Sequence, residues 1–280
     1  MSRTSKKTRG LRSRMLPESC VSSILSFTSP LDASRLSSVS STFRSAMESD
    51  TVWERFLPSN YVDILPRLDT PLPLTFSSKR ELFLHLCNPL LIDGGTKSFK
   101  LEKSSGKVIY MLSARELSIT WSDVPTYWTW IPSTESRFSE VAVLITTWWL
   151  EVQGKIRTQM LSPNTKYGAY LKMKICNRAY GLDSIPTELS VEVGNQVSSC
   201  VTYLHCKNWR KQPQVSLENT KYTQMLEPSR KRDDVWNEIE LGEFFTSECD
   251  EEVKMILMEI KGCQLKGGLV IEGIEVRPKL

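Results

Sequence analysis

Apolar residues recur at helical spacing only in the first part of this chain. Val21, Ile24 and Leu25 form one such series, and beyond Ser29-Pro30 the residues Leu36, Val39, Phe43, Ala46 and Met47 form a second. That period predicts short amphipathic helices over residues 16–57. Leu16-Pro17-Glu18 opens the segment, with proline tolerated at a helix start and an acid complementing the N-terminal dipole. A unit of about 40 residues buries too little surface to be comfortably stable alone. Its apolar positions are therefore expected to face a partner or another part of the chain.

Residues 58–95 carry Pro58, Pro66, Pro71, Pro73 and Pro89, whose fixed φ and missing donor disfavour long regular elements. One short helix is predicted over Ser78–Leu86. Leu82, Phe83, Leu84 and Leu86 are too apolar for a solvated linker, so the stretch reads as a packed connector.

From residue 96 the period changes to two. Leu150, Val152 and Ile156 alternate with Glu151, Gln153 and Lys155 within a strand predicted over Trp148–Met160. Ala169, Leu171, Met173 and Ile175 alternate with Tyr170, Lys172, Lys174 and Cys176, and Leu189, Val191 and Val193 with Ser190 and Glu192. Half-wet strands separated by turn signals such as Ser162-Pro163-Asn164, Tyr180-Gly181 and Lys266-Gly267-Gly268 indicate an antiparallel β-sandwich. The final strand, Leu269–Val276, changes phase near Gly273, which predicts a bulge. The polar stretch from Gly194 to Asp234 is expected to hold loops around one strand near Val201–Leu204. The fold class is thus α+β in two domains, a small helical module followed by a mainly antiparallel sandwich.

Composition narrows the function classes. The chain has 280 residues, with 40% hydrophobic and 24% charged, as in globular proteins. Its longest purely apolar run, Val141–Ile145, is far short of the roughly 18 residues of a membrane span. The first 30 residues lack the apolar core of a secretory signal, so an intracellular setting, cytoplasm and nucleus, is expected. The net charge of +4 sits in the leader: Arg3, Lys6, Lys7, Arg9, Arg12 and Arg14 precede the first acid, Glu18. The remainder is close to neutral, which argues against a nucleic-acid partner. Residues 1–14 read as a solvated basic tail, with an import signal as the other reading. Arg230-Lys231-Arg232 likewise reads as a solvated loop or an import patch. Seven cysteines, an odd number, favour reduced thiols.

Catalytic signals are weak. His85 and His205 are the only histidines, neither spaced to a nucleophile, and no glycine-rich phosphate loop or nucleophile elbow appears. Cys200, His205 and Cys206 cluster without a fourth zinc ligand at convincing spacing. No enzyme activity, metal or cofactor is expected.

Read in order, Leu16-Pro17-Glu18, Ile24-Leu25, Leu36, Val39, Phe43-Arg44 and Val52-Trp53 resemble an F-box over residues 15–57, departing where Ser37-Ser38 and Ser40-Ser41 replace larger residues. Leu112-Ser113-Ala114-Arg115, Ile119-Thr120-Trp121, Tyr127-Trp128-Thr129-Trp130-Ile131, Trp149-Leu150-Glu151, Glu238-Ile239-Glu240-Leu241-Gly242-Glu243-Phe244-Phe245 and Gly273-Ile274-Glu275-Val276-Arg277-Pro278 resemble the plant phloem protein 2 domain. That is the tobacco-lectin-like, jelly-roll-like fold, and here it spans 96–280. The arrangement is similar to the plant F-box phloem protein 2 family, type B, with 58–95 as the connector. The resemblance implies a substrate receptor of an SCF ubiquitin ligase. Its partners would be a Skp-type adaptor, through it a cullin scaffold, and a glycan or protein substrate.

On this resemblance Leu16, Pro17, Ile24, Leu25 and Val39 form the adaptor-docking face; a purely intramolecular helical core explains the same positions. A pyranose presents an apolar C–H face and a rim of hydroxyls, so its site wants an aromatic platform beside carboxylates. Trp121 and Trp128, separated by the loop Ser122–Tyr127, match tryptophan positions implicated in sugar binding in the lectin family. Trp121 also shares a strand face with Leu117 and Ile119, which would make it a core residue. Glu238, Glu240 and Glu243 are candidate hydroxyl acceptors, or the charges of an ordinary wet sheet face. N-acetylglucosamine oligomers and high-mannose N-glycans are the expected sugars. A lectin acting outside any ubiquitin ligase, and a sandwich that binds protein directly, are the rival readings.

Overall fold

The computed structural model describes residues 16–71, 76–204 and 236–279. The tail 1–14, His205, Cys206, Arg230-Lys231-Arg232 and Pro73 lie outside the described residues. The chain forms two compact units, one holding the chain up to Leu57 with Phe76–Phe83 and Lys103–Gly106, the other Pro58–Thr75, Leu84–Glu102 and everything from Lys107.

The helical unit is built from α1 (Glu18–Leu25), α2 (Pro30–Leu36), α3 (Ser41–Met47) and α4 (Asp50–Phe56). Helices of two turns are unstable in isolation and depend on caps and packing. Pro17 precedes α1 with Glu18 in its first turn. The Ser29 hydroxyl accepts from the Asp32 amide at 3.1 Å to start α2, and the Ser40 hydroxyl accepts from the Phe43 amide at 3.3 Å to start α3. The single series expected from Leu36 to Met47 is therefore two helices, and one of the serines that departs from the F-box pattern is the cap that divides them. Val21, Leu25, Ala33, Ala46, Met47, Val52, Trp53 and Phe83 fill the core. Trp53 stands 5.7 Å from Phe56 and 5.3 Å from Phe83, ring centre to ring centre, and its indole N–H donates to the Met47 carbonyl at 2.6 Å. Phe83 belongs to α6 (Lys79–Leu86), the short helix expected before Asn88-Pro89.

The second unit begins with α5 (Tyr61–Ile64) and a 3-10 turn, Leu65–Arg67. Thirteen strands follow among its described residues. An eight-stranded sheet holds β1 (Leu90–Ile92), β2 (Lys97–Leu101), β3 (Val108–Ser113), β5 (Trp128–Pro132), β6 (Glu140–Leu144), β8 (Thr165–Tyr180), β11 (Asn237–Thr246) and β13 (Gly267–Pro278). A five-stranded sheet runs in the order β10 (Gln196–Thr202), β9 (Thr187–Val193), β12 (Glu252–Glu259), β7 (Leu150–Arg157), β4 (Ser118–Ile119). Every pairing is antiparallel.

The burial of β7 and β9 alternates residue by residue, as their period of two predicts. The two sheets meet where Gly154 of β7 faces β13: a Cβ there would stand 2.9 Å from Ile274 Cδ1 and 3.1 Å from Leu117. β13 is the branch point. One edge pairs β8 along its length, and the other pairs β6 through Val270–Ile271 and β3 through Gly273–Val276. The register shifts between Ile271 and Gly273, the bulge expected there, and any side chain at Gly273 would collide with the Leu112 carbonyl. In the Gly194–Asp234 stretch, β10 starts at Gln196, earlier than the strand expected near Val201–Leu204.

Candidate functional site

Two features in the described residues qualify as binding surfaces: apolar side chains left exposed on the helical unit, and aromatic rings gathered at the loops of the sandwich.

On the helical unit, Leu16, Ile24 and Val39 are 53%, 48% and 67% exposed, and Pro17 is exposed. Leu25 is a correction. It is fully buried with Val21, because neighbouring residues on a helix point about 100° apart and α1 turns Val21 and Leu25 inward while Ile24 faces out. Phe27, at 81% exposed, and Leu31 join the exposed set and were not anticipated. Exposed apolar side chains this numerous on so small a unit make it a candidate interaction surface.

In the sandwich, β4 ends at Ile119 because Trp121 adopts φ = +60°, a left-handed backbone unusual for a bulky residue. The loop then turns tightly, with Val124 N–H donating to the Trp121 carbonyl at 3.0 Å and Trp128 N–H to the Val124 carbonyl at 3.1 Å. Trp121 lies 5.0 Å from Tyr127 and 5.5 Å from Trp148, and Trp148 stands edge-on to Trp149 at 5.7 Å. Trp148 is 41% exposed and Trp121 partly exposed. Glu151 closes the group: its carboxylate accepts from the Trp149 indole N–H at 2.8 Å and the Thr120 hydroxyl at 3.2 Å. A hollow of about 450 Å³ lies against the same loop, lined by Ser122, Asp123, Pro125, Thr129, Trp130 and Arg115, whose guanidinium stacks 3.7 Å over Trp130.

Trp128 is the second correction. It contributes an edge to the wall of that hollow, but at 2% exposed it has almost no ring face to offer a sugar. Its indole N–H donates to the Thr120 carbonyl at 3.2 Å, and that of Trp130 donates to the Ser122 carbonyl at 3.1 Å. These two tryptophans hold the backbone on either side of Trp121, so the order expected from the strand pattern is reversed, with Trp121 outward and Trp128 in the core.

Glu238, Glu240 and Glu243 stand on β11 of the eight-stranded sheet, whereas Trp121 follows β4 of the five-stranded sheet. The acids expected beside the platform are therefore on a different sheet, and each is already engaged. Glu238 is held by Arg277 at 2.7 Å and Lys172 at 2.5 Å, Glu240 by Lys279 at 2.5 Å, and Glu243 by Lys166 at 2.5 Å and Lys279 at 2.8 Å. The hydrogen bonds from Arg277 and then Lys172 hold Glu238 down at about 2, and those from Lys166 and Lys279 do the same for Glu243. These charges form a neutralised ladder, completed by Arg277 lying 3.8 Å over the Tyr170 ring. Among the described residues the acid that touches the aromatic cluster is Glu151. Among them, too, no three His, Cys, Asp or Glu side chains are grouped to hold a metal ion, and no helix is long and apolar enough to cross a membrane.

Comparison with known proteins places both units. The F-box domain family matches residues 14–55 and the phloem protein 2 family residues 107–278. The chain is 52% identical to the F-box protein PP2-B15 of Arabidopsis thaliana over 95% of its own length and 96% of the relative's. It is 53% identical to F-box protein PP2-B13 of the same plant, covering 94% and 98%, and 50% identical to its F-box protein VBF, covering 95% and 99%. Among solved structures, a GH26-CBM35 mannanase from Podospora anserina aligns at a TM-score of only 0.33 and 9% identity, over 61% of this chain and 28% of its own, too low to carry an argument. With both domains matched in order and relatives similar along nearly their whole length, the chain belongs to the F-box proteins that carry a phloem protein 2 domain.

Proposed function

We propose that the protein is a substrate receptor of an SCF-type ubiquitin ligase. Its F-box docks a Skp-type adaptor, and through it a cullin scaffold, while the phloem protein 2 domain captures a glycosylated protein. The observation that carries this reading is the apolar surface of Leu16, Pro17, Ile24 and Val39, exposed on a unit that matches the F-box. Burial of such a surface against a partner helix or groove supplies the driving force for docking. The receptor performs no chemistry of its own in this reading; it raises the effective concentration of substrate beside a ubiquitin-charged enzyme in the cytoplasm or nucleus.

For the substrate end, the exposed Trp148 with Trp121 and Tyr127 supports recognition of a pyranose ring, whose C–H face stacks on indole. Glu151 is the acceptor at hand for a sugar hydroxyl. Copurification tests the docking half: the full chain is expected to retain a Skp-type adaptor, and Leu16→Ala with Pro17→Ala to lose it. Failure of the intact chain to bind any such adaptor overturns this half, and sugar binding without adaptor binding would select a free lectin instead. Titration with N-acetylglucosamine oligomers and high-mannose N-glycans, read by tryptophan fluorescence, tests the other half. Silence there with adaptor binding intact selects direct protein recognition.

A further inference from the structure

Lys266 and Glu259 form an ion pair in which the side chains are 2% and 4% exposed. Withdrawing two charges from water is costly, and such a pair is often replaceable by apolar side chains without loss of stability. Stability alone therefore does not account for it. The ammonium has three N–H donors, and the groups around it are the Glu259 carboxylate, the Glu259 carbonyl at 3.5 Å and the Trp148 carbonyl at 2.8 Å. The last belongs to the exposed member of the aromatic cluster.

The rest of this turn is fixed from the same place. The Thr147 and Lys266 backbones exchange hydrogen bonds, Thr147 N–H donating to Lys266 at 2.9 Å and Lys266 N–H to Thr147 at 2.8 Å. The buried Thr147 hydroxyl accepts from the Trp149 amide at 3.1 Å and donates to the Trp149 carbonyl at 2.9 Å. The peptide between Trp148 and Trp149 is thus oriented by a charged donor from below, and its orientation sets where both indoles stand.

We propose that Lys266 is the positioning residue of the tryptophan cluster, its ammonium, anchored by Glu259, fixing the Trp148 carbonyl so that the Trp148 ring is presented to a sugar. This rests on the sugar-platform reading given above. It assigns to an invisible residue the geometry that a stacking site depends on, since an exposed indole free to turn loses affinity to its own ordering.

The test uses the full chain and two variants. Lys266→Met with Glu259→Leu removes the pair as apolar side chains and deletes the donor to Trp148. Glu259→Gln keeps the donor and a neutral acceptor for it. Tryptophan-fluorescence titration with the tetramer of N-acetylglucosamine and with a high-mannose N-glycan reads affinity. 19F spectra of 5-fluorotryptophan protein, with the Trp148 resonance assigned by Trp148→Phe, read ring position without any sugar, and thermal melting controls for folding.

The double variant is expected to fold with a melting temperature lowered by the unpaired Trp148 carbonyl, to move the Trp148 resonance, and to bind about tenfold more weakly, the loss of one charged hydrogen bond. Glu259→Gln, which leaves the ammonium without its charged anchor, is expected to move the Trp148 resonance and to weaken binding, by less than the double variant. A folded double variant with wild-type resonance and affinity overturns the proposal. So does a folded Glu259→Gln protein in which both are unchanged, which decides the matter even if the double variant fails to fold. If the wild type binds neither sugar, the platform reading falls, while the 19F shift still decides whether Lys266 positions Trp148.

Discussion

Trp128 donates its indole N–H to the carbonyl of Thr120 at 3.2 Å, so the residue just before Trp121 is tied to the interior of the sandwich. Trp130 does the same for Ser122 at 3.1 Å. A left-handed non-glycine residue costs about 1–3 kcal/mol and persists where its surroundings over-determine it, and these two bonds are that over-determination. Replacing Trp128 by Phe leaves the Thr120 carbonyl unpaired, and the expected loss is about 1–3 kcal/mol. Urea denaturation measures it, and unchanged stability would refute the clamp.

Trp121 itself gives a sharper test. Glycine tolerates φ = +60° without steric cost whereas alanine does not. Trp121→Gly is therefore expected to be more stable than Trp121→Ala by about 0.5–1 kcal/mol, in thermal or urea unfolding. The opposite order would mean that the backbone at this position is not left-handed in solution.

The helical unit separates surface from core within adjacent residues. Ile24→Glu is expected to abolish adaptor capture while leaving the melting temperature within a degree or two, the ordinary range for an exposed site. Leu25→Ala empties a fully buried position and is expected to cost about 2–5 kcal/mol. Adaptor pull-down beside differential scanning fluorimetry reads both, and a stable Leu25→Ala protein would contradict the packing of α1.

The charge ladder on β8, β11 and β13 predicts the acid limb of stability. Glu238 sits at about 2 in the folded chain against an ordinary 4.5. The unfolded chain thus binds more protons between those values, and stability rises with pH there. The contribution is complete above about 4.5, and it fades as the pH falls toward about 2, where the folded carboxylate also takes up a proton. Glu238→Gln is expected to flatten the stability profile in that window and leave the profile above it parallel to the wild type. Because the pair is partly solvated, added salt is expected to weaken the effect.

Sequence pattern reached the fold where one face of an element is buried and the other wet. Leu150, Val152 and Ile156, like Leu189, Val191 and Val193, announce their strands because burial imposes a period of two. Parity failed at Trp121 for a definite reason. Leu117, Ile119 and Trp121 alternate in the sequence, but the left-handed turn ends β4 before Trp121 and rotates its ring out of phase. Leu25 and Ile24 were indistinguishable in the sequence because both are apolar, and the choice between them is made by the way α1 packs on α3. Glu238, Glu240 and Glu243 read correctly as a wet face, but their partners Lys166, Lys172 and Arg277 lie on other strands and Lys279 just past the end of β13, at separations no local pattern reports. Lys266 offered no signal at all, since a lysine beside Gly267-Gly268 looks like any turn residue until the chain closes over it.

The position of β13 at the branch of the larger sheet bears on how the protein is made. Its partners β3, β6 and β8 all precede it in chain order. During synthesis their edges must wait, unpaired, until residues 267–278 have left the ribosome, whereas the contacts of α1 to α4 are close in sequence and can form early. Slow translation or premature termination would consequently leave a nascent chain whose helical unit is formed and whose sheet is open, a natural client for chaperones.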